Sequence, residues 1–237
     1  MKHIVLFSGG ANSSYAAWLV AQKYKREDII LLHTPTYSEH PDADRFRKQV
    51  SQFLNIPVTV QADGRNIWDL IKDNHCLPSD RIPFCSRILK LEQSEKFYKT
   101  LNDDFIVYLG YGIEEWRRVQ TNFARLQAKG IKSEYPIKIP DKDIKDIIRN
   151  QWKICLPEPY LYLNHNNCIP CFKGGQPHFY QVYKHYPTNF EMAVKMEQLI
   201  DATVFPEISL TKLKERWDAQ IPMFPDENDM RPCMCAL

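Results

Sequence analysis

The stretch IVLFSGGANSSYAAWLV, at residues 4–20, joins an apolar run to a helical pattern through a loop with two glycines. Its first four residues are continuously apolar, which is typical of a buried strand. Ala16, Val20 and Tyr24 then repeat at helical spacing. Because further apolar runs alternate with helical patterns, the sequence predicts an α/β fold with a parallel sheet flanked by helices. The runs expected to form the other strands are residues 29–32, 56–60 and 105–111.

The composition changes near Tyr135. Eleven of the 16 prolines lie from Pro136 onward, so short helices and irregular connections are expected there. We interpret residues 1–135 as the α/β core and residues 136–237 as a helical, loop-rich part packed on it. The clearest helical patterns of the second part are residues 190–200 and 209–221.

The overall composition excludes several classes of protein. Apolar residues make up 44% and charged residues 25% of the 237 positions, as in ordinary globular proteins. The net charge of +2 gives no general affinity for nucleic acid. No apolar run approaches the roughly 18 residues of a membrane span, and MKHIVLF at the start lacks a signal-peptide core. We therefore expect a cytoplasmic protein without a membrane segment.

The loop SGGANSS, at residues 8–14, is a candidate anion site. Gly9 and Gly10 let backbone N–H groups approach phosphate oxygens, and the following helix N-terminus adds its positive dipole. Ser8, Ser13 and Ser14 supply hydroxyl donors. The loop matches neither the P-loop nor the Rossmann glycine motif. The alternative interpretation is a strand-to-helix turn with capping serines.

FSGGANSS, at residues 7–14, resembles the SGGxDS loop of the PP-loop superfamily, which has the adenine nucleotide alpha-hydrolase-like fold. Its members include ATP pyrophosphatases, tRNA-thiolating enzymes and phosphoadenosine phosphosulfate (PAPS) reductases. The resemblance implies ATP or a sulfonucleotide (PAPS or adenylylsulfate) as ligand, with magnesium as a candidate companion ion. Asn12 stands where the motif has Asp, so this chain lacks the charge on which a metal-linked role of that acid would depend.

Further segments, in order, resemble the PAPS reductase branch over residues 4–175. They are HTPTYSEHPDADRF with Glu39 and Phe46, PFCSRILKLEQ with Cys85, Arg87 and Lys90, LGYGIEEWRR with Gly112, Glu115 and Arg118, and the stretch from Tyr135 to Gly175. The resemblance implies that Glu115 is catalytic. It also implies a nucleotide-binding set consisting of Ser8, Gly9, Gly10, Asn12, Ser13, Ser14, Arg87, Lys90, Gly112 and Arg118.

The seven cysteines are an odd number in a chain without an export signal, so metal or redox chemistry is favoured over a disulfide framework. Cys168 and Cys171 form a C-x-x-C, which binds zinc, holds a cluster or acts as a redox pair in different proteins. Related adenylylsulfate reductases hold a four-iron cluster with a Cys-Cys pair and a C-x-x-C, whereas this chain has Phe84-Cys85. We expect Cys85, Cys168 and Cys171 to converge on a 4Fe-4S cluster or a zinc ion. Inert buried thiols are the alternative.

The fourth metal ligand is left open between several groups. The candidates are Cys76, Cys155, Cys233, Cys235, a water and the substrate. Cys233 and Cys235 are also candidate nucleophiles, because PAPS reductases without a cluster carry a reactive cysteine near the C-terminus. Their Glu-Cys-Gly motif is missing from RPCMCAL, and a frayed end without a role is the alternative.

Basic and aromatic residues suggest where an acceptor binds. Arg117, Arg118, Arg125, Lys129 and Lys132 follow Gly110 and Gly112, and they read either as phosphate contacts or as a solvated helix face. The segments YLYLNHNN and HFYQVYKHY, at residues 160–167 and 178–186, are candidates for stacking on bases or for packing. A nucleic acid or a thiol carrier is therefore a candidate acceptor, and the sequence leaves the oligomeric state open.

These features predict an enzyme of sulfur metabolism, either a transferase or an oxidoreductase. ATP-dependent adenylation coupled to iron–sulfur-assisted sulfur transfer is preferred, because the tail and the Cys-Cys pair of the reductases are missing. A sulfonucleotide reductase proper is the second interpretation. The third, motivated by Asn12, is a catalytically weakened nucleotide-sensing subunit with a structural zinc.

Overall fold

The computed structural model describes residues 1–219, which contain a five-stranded parallel sheet with helices on both faces. The strands are β1 Lys2–Leu6, β2 Ile29–His33, β3 Val58–Val60, β4 Phe105–Tyr108 and β5 Ser133–Glu134. Their order in the sheet is β3-β2-β1-β4-β5. The predicted α/β class with a parallel sheet is confirmed.

The helices connect the strands and then continue beyond the sheet. They are α1 Ala11–Ala21, α2 Asp42–Leu54, α3 Ile67–Asn74, α4 Phe84–Ser86, α5 Glu92–Tyr98, α6 Trp116–Ala128, α7 Asp141–Asn150, α8 Gln176–His185, α9 Pro187–Ile200 and α10 Leu210–Asp218. A π-helical segment, Arg87–Leu91, joins α4 to α5. None of the helices within residues 1–219 has the length and apolar character needed to cross a bilayer.

The strand order reverses between β1 and β4, and this reversal positions the candidate site. β1 pairs in parallel with β2 on one side and with β4 on the other. The chain therefore builds outward through β2 and β3 before it returns to β4. In open α/β sheets, ligands bind beyond the carboxyl ends of the strands at such a reversal.

The two faces of the sheet bury different side chains of the same strand. Val5 packs with residues of α1, α2 and α7 on one face, whereas Ile4 and Leu6 pack with Tyr98 and Leu126 on the other. This alternation is the two-residue period of a strand covered on both sides. A second apolar cluster joins α3, α8, α9 and α10 to the helical segment around Leu89.

Several boundaries differ from the sequence-based expectation. The apolar run at residues 105–111 is strand only as far as Tyr108, because the chain turns there into the loop of Gly110 and Gly112. The helix expected at residues 209–221 is α10 within the described part, and its last two positions lie outside the described residues. Ile144 and Ile148 of α7 share the cluster of Val5, so the segment after Tyr135 helps to cover the sheet.

Candidate functional site

A cavity of about 490 Å³ lies beyond the carboxyl ends of β1 and β4. It is bounded by the glycine loop and the start of α1, by the start of α6, by α7 and by residues 164–167. Seven of the residues predicted to bind the nucleotide or to act in catalysis line it, namely Ser8, Gly10, Asn12, Ser13, Lys90, Glu115 and Arg118. The structure thus brings together, in one cavity, predicted residues from three separate segments of the sequence.

The glycine loop is held from behind by side chains that sequence reasoning missed. Gly9 has a φ of +83°, and a Cβ on it would lie 2.6 Å from the buried side chain of Arg47. Arg47 also donates from Nη1 to the Ser8 carbonyl at 3.0 Å, and Asn166 Nδ2 donates to the Gly9 carbonyl at 2.9 Å. Gly9 therefore supports the loop, although it was predicted to contact the ligand.

The serines of the loop overlap in their roles, because Ser13 Oγ, like Ser14 Oγ, donates to the Gly10 carbonyl at 3.0 Å. Ser8 Oγ and Ser13 Oγ lie 3.1 Å apart at the cavity wall. Ser14 is fully buried, and its hydroxyl donates to the Gly10 carbonyl at 3.0 Å. Ser14 therefore fixes the start of α1, as the alternative interpretation of capping serines expected for the whole loop.

The N-terminus of α1 points its positive end at the cavity. Gly10 is the N-cap residue and provides no side-chain cap, so the first-turn N–H groups are left to other partners. The Ala11 N–H donates to Tyr160 Oη at 3.0 Å. Burial raises the pKa of the Tyr160 phenol above its usual range, so this hydroxyl stays protonated and polar at neutral pH.

Both carboxylate oxygens of Glu115 accept hydrogen bonds from donors of its own chain. Its Oε2 accepts from the Gly112 N–H at 2.9 Å and from Asn12 Nδ2 at 3.4 Å. Its Oε1 is bonded to the Arg118 guanidinium, which also lies 4.4 Å from the centroid of the Tyr111 ring. These oxygens and the neutral amide of Asn12 do not fit a magnesium ion, since no carboxylate there lacks a donor.

The two cations of the Cys85 segment are placed differently. Lys90 lies in the π-helical segment, is buried and lines the cavity. π-Helical turns are often found at functional sites. The side chain of Arg87 is 63% exposed, and its Nε lies 3.6 Å from Glu92 at the surface. Arg87 therefore does not line this cavity, and neither does Gly112, which serves through its backbone.

Residues after position 135 complete the cavity. Lys145 lies 2.6 Å from Asp141 and 4.9 Å from the centroid of the Tyr160 ring. Asn166 is buried, and its Oδ1 has no hydrogen-bond partner. All of these residues lie in the stretch from Tyr135 to Gly175 that resembles the PAPS reductase branch, and Tyr160 and Asn166 also lie in YLYLNHNN, the candidate base-stacking or packing segment.

Cys85, Cys168 and Cys171 are not among the residues that line this cavity, and Cys171 is buried while the other two are partly buried. Cys168 Sγ lies 3.1 Å from Thr36 Oγ1, and the Cys171 N–H donates to His178 Nε2 at 2.9 Å. Cys85 is partly buried against the apolar cluster of α3, α8, α9 and α10. Within residues 1–219, no group of three or more His, Cys, Asp and Glu side chains could hold a metal ion.

The thiolate site predicted for Cys85, Cys168 and Cys171 therefore gains no support from the described residues and stays a prediction. Of the candidates for a fourth ligand, Cys155 is exposed and Cys76 is partly buried. Cys233 and Cys235 lie outside the described residues. We derive no chemistry through a cluster or a zinc ion.

The aromatic segments proposed to stack on bases serve largely for packing. Tyr162 stacks on His185 with ring centroids 3.6 Å apart. Tyr183 packs against Phe190 and Trp217. Helix α6 instead exposes two large rings, with Trp116 54% and Phe123 47% accessible.

Two similarities to known proteins bear on this site. Residues 2–137 match the family model described as the phosphoadenosine phosphosulfate reductase domain. The chain is also 28% identical, over 205 residues, to the uncharacterized nin region protein ORF290 of Escherichia phage lambda. That similarity covers 73% of this chain and 66% of the relative, so the chain spans less than two thirds of the relative's length.

Proposed function

The chain belongs to the phosphoadenosine phosphosulfate reductase domain family, and from that premise we propose that it is an enzyme that binds an adenine nucleotide in the cavity above β1 and β4. One observation carries the proposal. The N-terminus of α1, without a side-chain cap, opens into the same cavity as Lys90, Lys145 and Arg118. A helix N-terminus with converging cations is a site for phosphate groups.

The parts of the cavity have separate tasks in this proposal. The backbone N–H groups of Asn12 and Ser13, in the first turn of α1, bind phosphate oxygens, and the Ser8 hydroxyl at the cavity wall is a further donor. Lys90 and Lys145, which both line the cavity, balance the phosphate charge. Arg118 binds a phosphate while its guanidinium is held by the Glu115 carboxylate. Glu115 is therefore a positioning residue in this arrangement.

The proposed reaction is attack on the α-phosphorus of ATP by an acceptor, with pyrophosphate leaving from the glycine loop. The alternative is reductive release of sulfite from PAPS or adenylylsulfate. The first is preferred because this chain has Phe84-Cys85 where the adenylylsulfate reductases have a Cys-Cys pair. The cysteine nucleophile that the second would require is sought at Cys233 or Cys235, outside the described residues.

A nucleotide-sensing accessory subunit is the competing function. Asn12 in place of the motif acid is the observation that favours it. Calorimetry with ATP and with PAPS, followed by a search for AMP, pyrophosphate or sulfite, separates the two functions. Tight binding without turnover on thiol and nucleic-acid acceptors favours the sensor, and undetectable binding of both nucleotides contradicts the proposed site.

Helix α6 provides the observation that favours a nucleic-acid acceptor over a thiol carrier. Arg117 lies 5.2 Å from the centroid of the exposed Trp116 ring. Of the four other basic residues at 116–133, Arg118 is bonded to Glu115 in the cavity, and Arg125 and Lys129 are paired with Glu95, so the candidate surface is centred on Trp116 and Arg117. Single-stranded nucleic acid binds to such combinations of cations and aromatic rings. Fluorescence anisotropy with labelled single-stranded DNA and RNA tests this acceptor, and a Trp116→Ala variant that binds as well as the wild type would contradict it.

A thiolate-bound iron–sulfur cluster or zinc ion remains a separate proposal. Because no group of three or more His, Cys, Asp and Glu side chains in residues 1–219 could hold a metal ion, the further ligands of a metal at Cys168 and Cys171 are sought among Cys233, Cys235, a water and the substrate. We therefore expect Cys233→Ser and Cys235→Ser to lower the iron or zinc content of anaerobically purified protein. Equal metal content in these variants and the wild type would contradict a role of the tail cysteines as ligands.

A further inference from the structure

Position 12 faces the Glu115 carboxylate across the mouth of α1. Glu115 Oε2 can only accept hydrogen bonds, so the Asn12 group that lies 3.4 Å from it must be the NH2. Asn12 Oδ1 therefore points away from Glu115, and it is buried without a partner in the cavity wall. The orientation of the Asn12 amide is therefore determined by the acceptor-only character of the Glu115 carboxylate.

An aspartate at position 12 would change the charge of this pair. Asp has the shape of Asn, so one of its oxygens would replace Nδ2 at about 3.4 Å from Glu115 Oε2. Two carboxylates at that separation need a shared proton or a cation between them. Carboxylate oxygens are ligands of Mg²⁺ and of similar cations. With Asn12, the Glu115 carboxylate accepts a hydrogen bond at this position, and no proton or cation is needed between the two side chains.

The remaining acids of the cavity are also bonded to donors of the chain. Glu114 Oε1 accepts from the Asp141 N–H at 3.4 Å, and Asp141 is paired with Lys145. Three acids, Glu114, Glu115 and Asp141, therefore face three cations, Lys90, Arg118 and Lys145. Among the described residues that line the cavity, these pairings leave no acid pair that needs a divalent cation.

We infer that Asn12 is a specificity-determining residue that adapts this cavity to a nucleotide free of divalent cation. The inference rests on the proposed nucleotide binding and deepens it. The phosphates are neutralised by the N-terminus of α1 and by the cations of the chain, and a magnesium ion on the nucleotide finds no second carboxylate at position 12.

Calorimetric titration with ATP, in excess EDTA and in excess magnesium, tests the inference on the full chain. We expect the wild type to bind ATP in EDTA at least as tightly as in magnesium. Binding that magnesium strengthens by about tenfold or more would overturn the inference and leave the nucleotide site intact. Binding of neither ATP nor PAPS under both conditions would overturn the proposed function together with it.

Two variants at position 12 separate charge from shape. Asn12→Asp should weaken ATP binding in EDTA by about tenfold, and magnesium should restore it. Asn12→Ala removes the hydrogen bond without adding charge, so its affinity should be the same in EDTA and in magnesium. The double variant Asn12→Asp/Glu115→Gln removes the like-charge pair, so its ATP affinity should again be the same in EDTA and in magnesium.

Titration with Mn²⁺ alone, followed by electron paramagnetic resonance, gives a readout that needs no nucleotide. We expect Asn12→Asp to bind Mn²⁺ more tightly than the wild type and than Asn12→Ala. Equal Mn²⁺ affinity in the three proteins would overturn the role of Asn12. Circular dichroism of each variant shows whether it has kept the fold, and the wild-type comparison of EDTA with magnesium remains decisive if one has not.

Discussion

At the scale of the residue, Gly10 tests the glycine loop most directly. A Cβ built on Gly10 lies 3.5 Å from Tyr160 Oη and 3.6 Å from Ser8 Oγ, so a side chain fits there but projects toward the ligand. We expect Gly10→Val to fold and to lose ATP affinity by about tenfold or more, because each lost bond to a charged phosphate costs about 1.5–3 kcal/mol. Calorimetry measures the loss.

Gly175 provides the matched control for Gly10. It is also a helix N-cap in extended backbone, at the start of α8, and a Cβ on it lies 3.5 Å from the Pro177 side chain. Gly175 does not line the cavity. Gly175→Val should therefore bind ATP like the wild type, and equal affinities in the two variants would refute the loop assignment.

The sequence predicted the loop residues better than their supports. Ser8, Gly10, Asn12 and Ser13 lie next to one another in the chain, so a local motif revealed them. Arg47 and Asn166 contact the loop from 39 and 157 positions away, and no local pattern indicates such contacts. The motif around Cys85 contains both Arg87 and Lys90, but a motif does not specify where each side chain points. Lys90 is buried at the cavity, whereas the side chain of Arg87 lies at the surface.

At the scale of the element, the close approach of α1 to the end of β4 depends on Gly110. A Cβ on Gly110 would lie 2.6 Å from the backbone carbonyl oxygen of Asn12. Backbone cannot yield as a flexible side chain does, so we expect Gly110→Ala to lower the free energy of unfolding by about 1–3 kcal/mol. Urea denaturation measures this change, and Gly10→Ala, which creates no such contact, is the control.

Equal urea-denaturation midpoints for Gly110→Ala and Gly10→Ala would show that α1 and β4 are not packed as described.

The elements themselves were largely predictable, because continuous apolar runs and helical spacing specified β1, β2 and α1. The end of β4 was not, since apolar Leu109 and Tyr111 continue its pattern although the chain has already left the sheet. Burial beside α1 and α6 explains these apolar residues equally well.

At the scale of the whole molecule, the site lies between segments that the sequence divides. The glycine loop belongs to the first 135 residues, whereas Asp141, Lys145 and Tyr160 close the cavity from the part beyond them. Ile144 and Ile148 of the same region pack with α1 against the sheet. The change in proline content near Tyr135 thus marks a change in local structure. It does not mark a domain boundary at the site, because residues on both sides of it share one core cluster and line one cavity.

Stability against acid should report on the core behind the glycine loop. His33 is buried at the end of β2, and its Nδ1 lies 3.1 Å from the Phe7 carbonyl. Because a carbonyl only accepts, Nδ1 carries a proton. Burial, assisted by the nearby Arg47 guanidinium, lowers the pKa of His33 from 6.5 to about 3.

The depressed pKa of His33 predicts the direction of the pH dependence. Below pH 6.5 His33 is protonated in the unfolded chain, whereas in the native protein it becomes protonated only near pH 3. Because the unfolded chain binds the extra proton, the native state loses stability as the pH falls. The slope from this group alone is about 1.4 kcal/mol for each pH unit. We expect His33→Gln to flatten the dependence of the free energy of unfolding on pH between 6 and 4 by about that slope, whereas His75→Gln, at an exposed position, should leave the slope near that of the wild type. Urea denaturation at a series of pH values gives the slopes. If His33→Gln loses stability toward acid as steeply as the wild type does, His33 is not held neutral behind the loop.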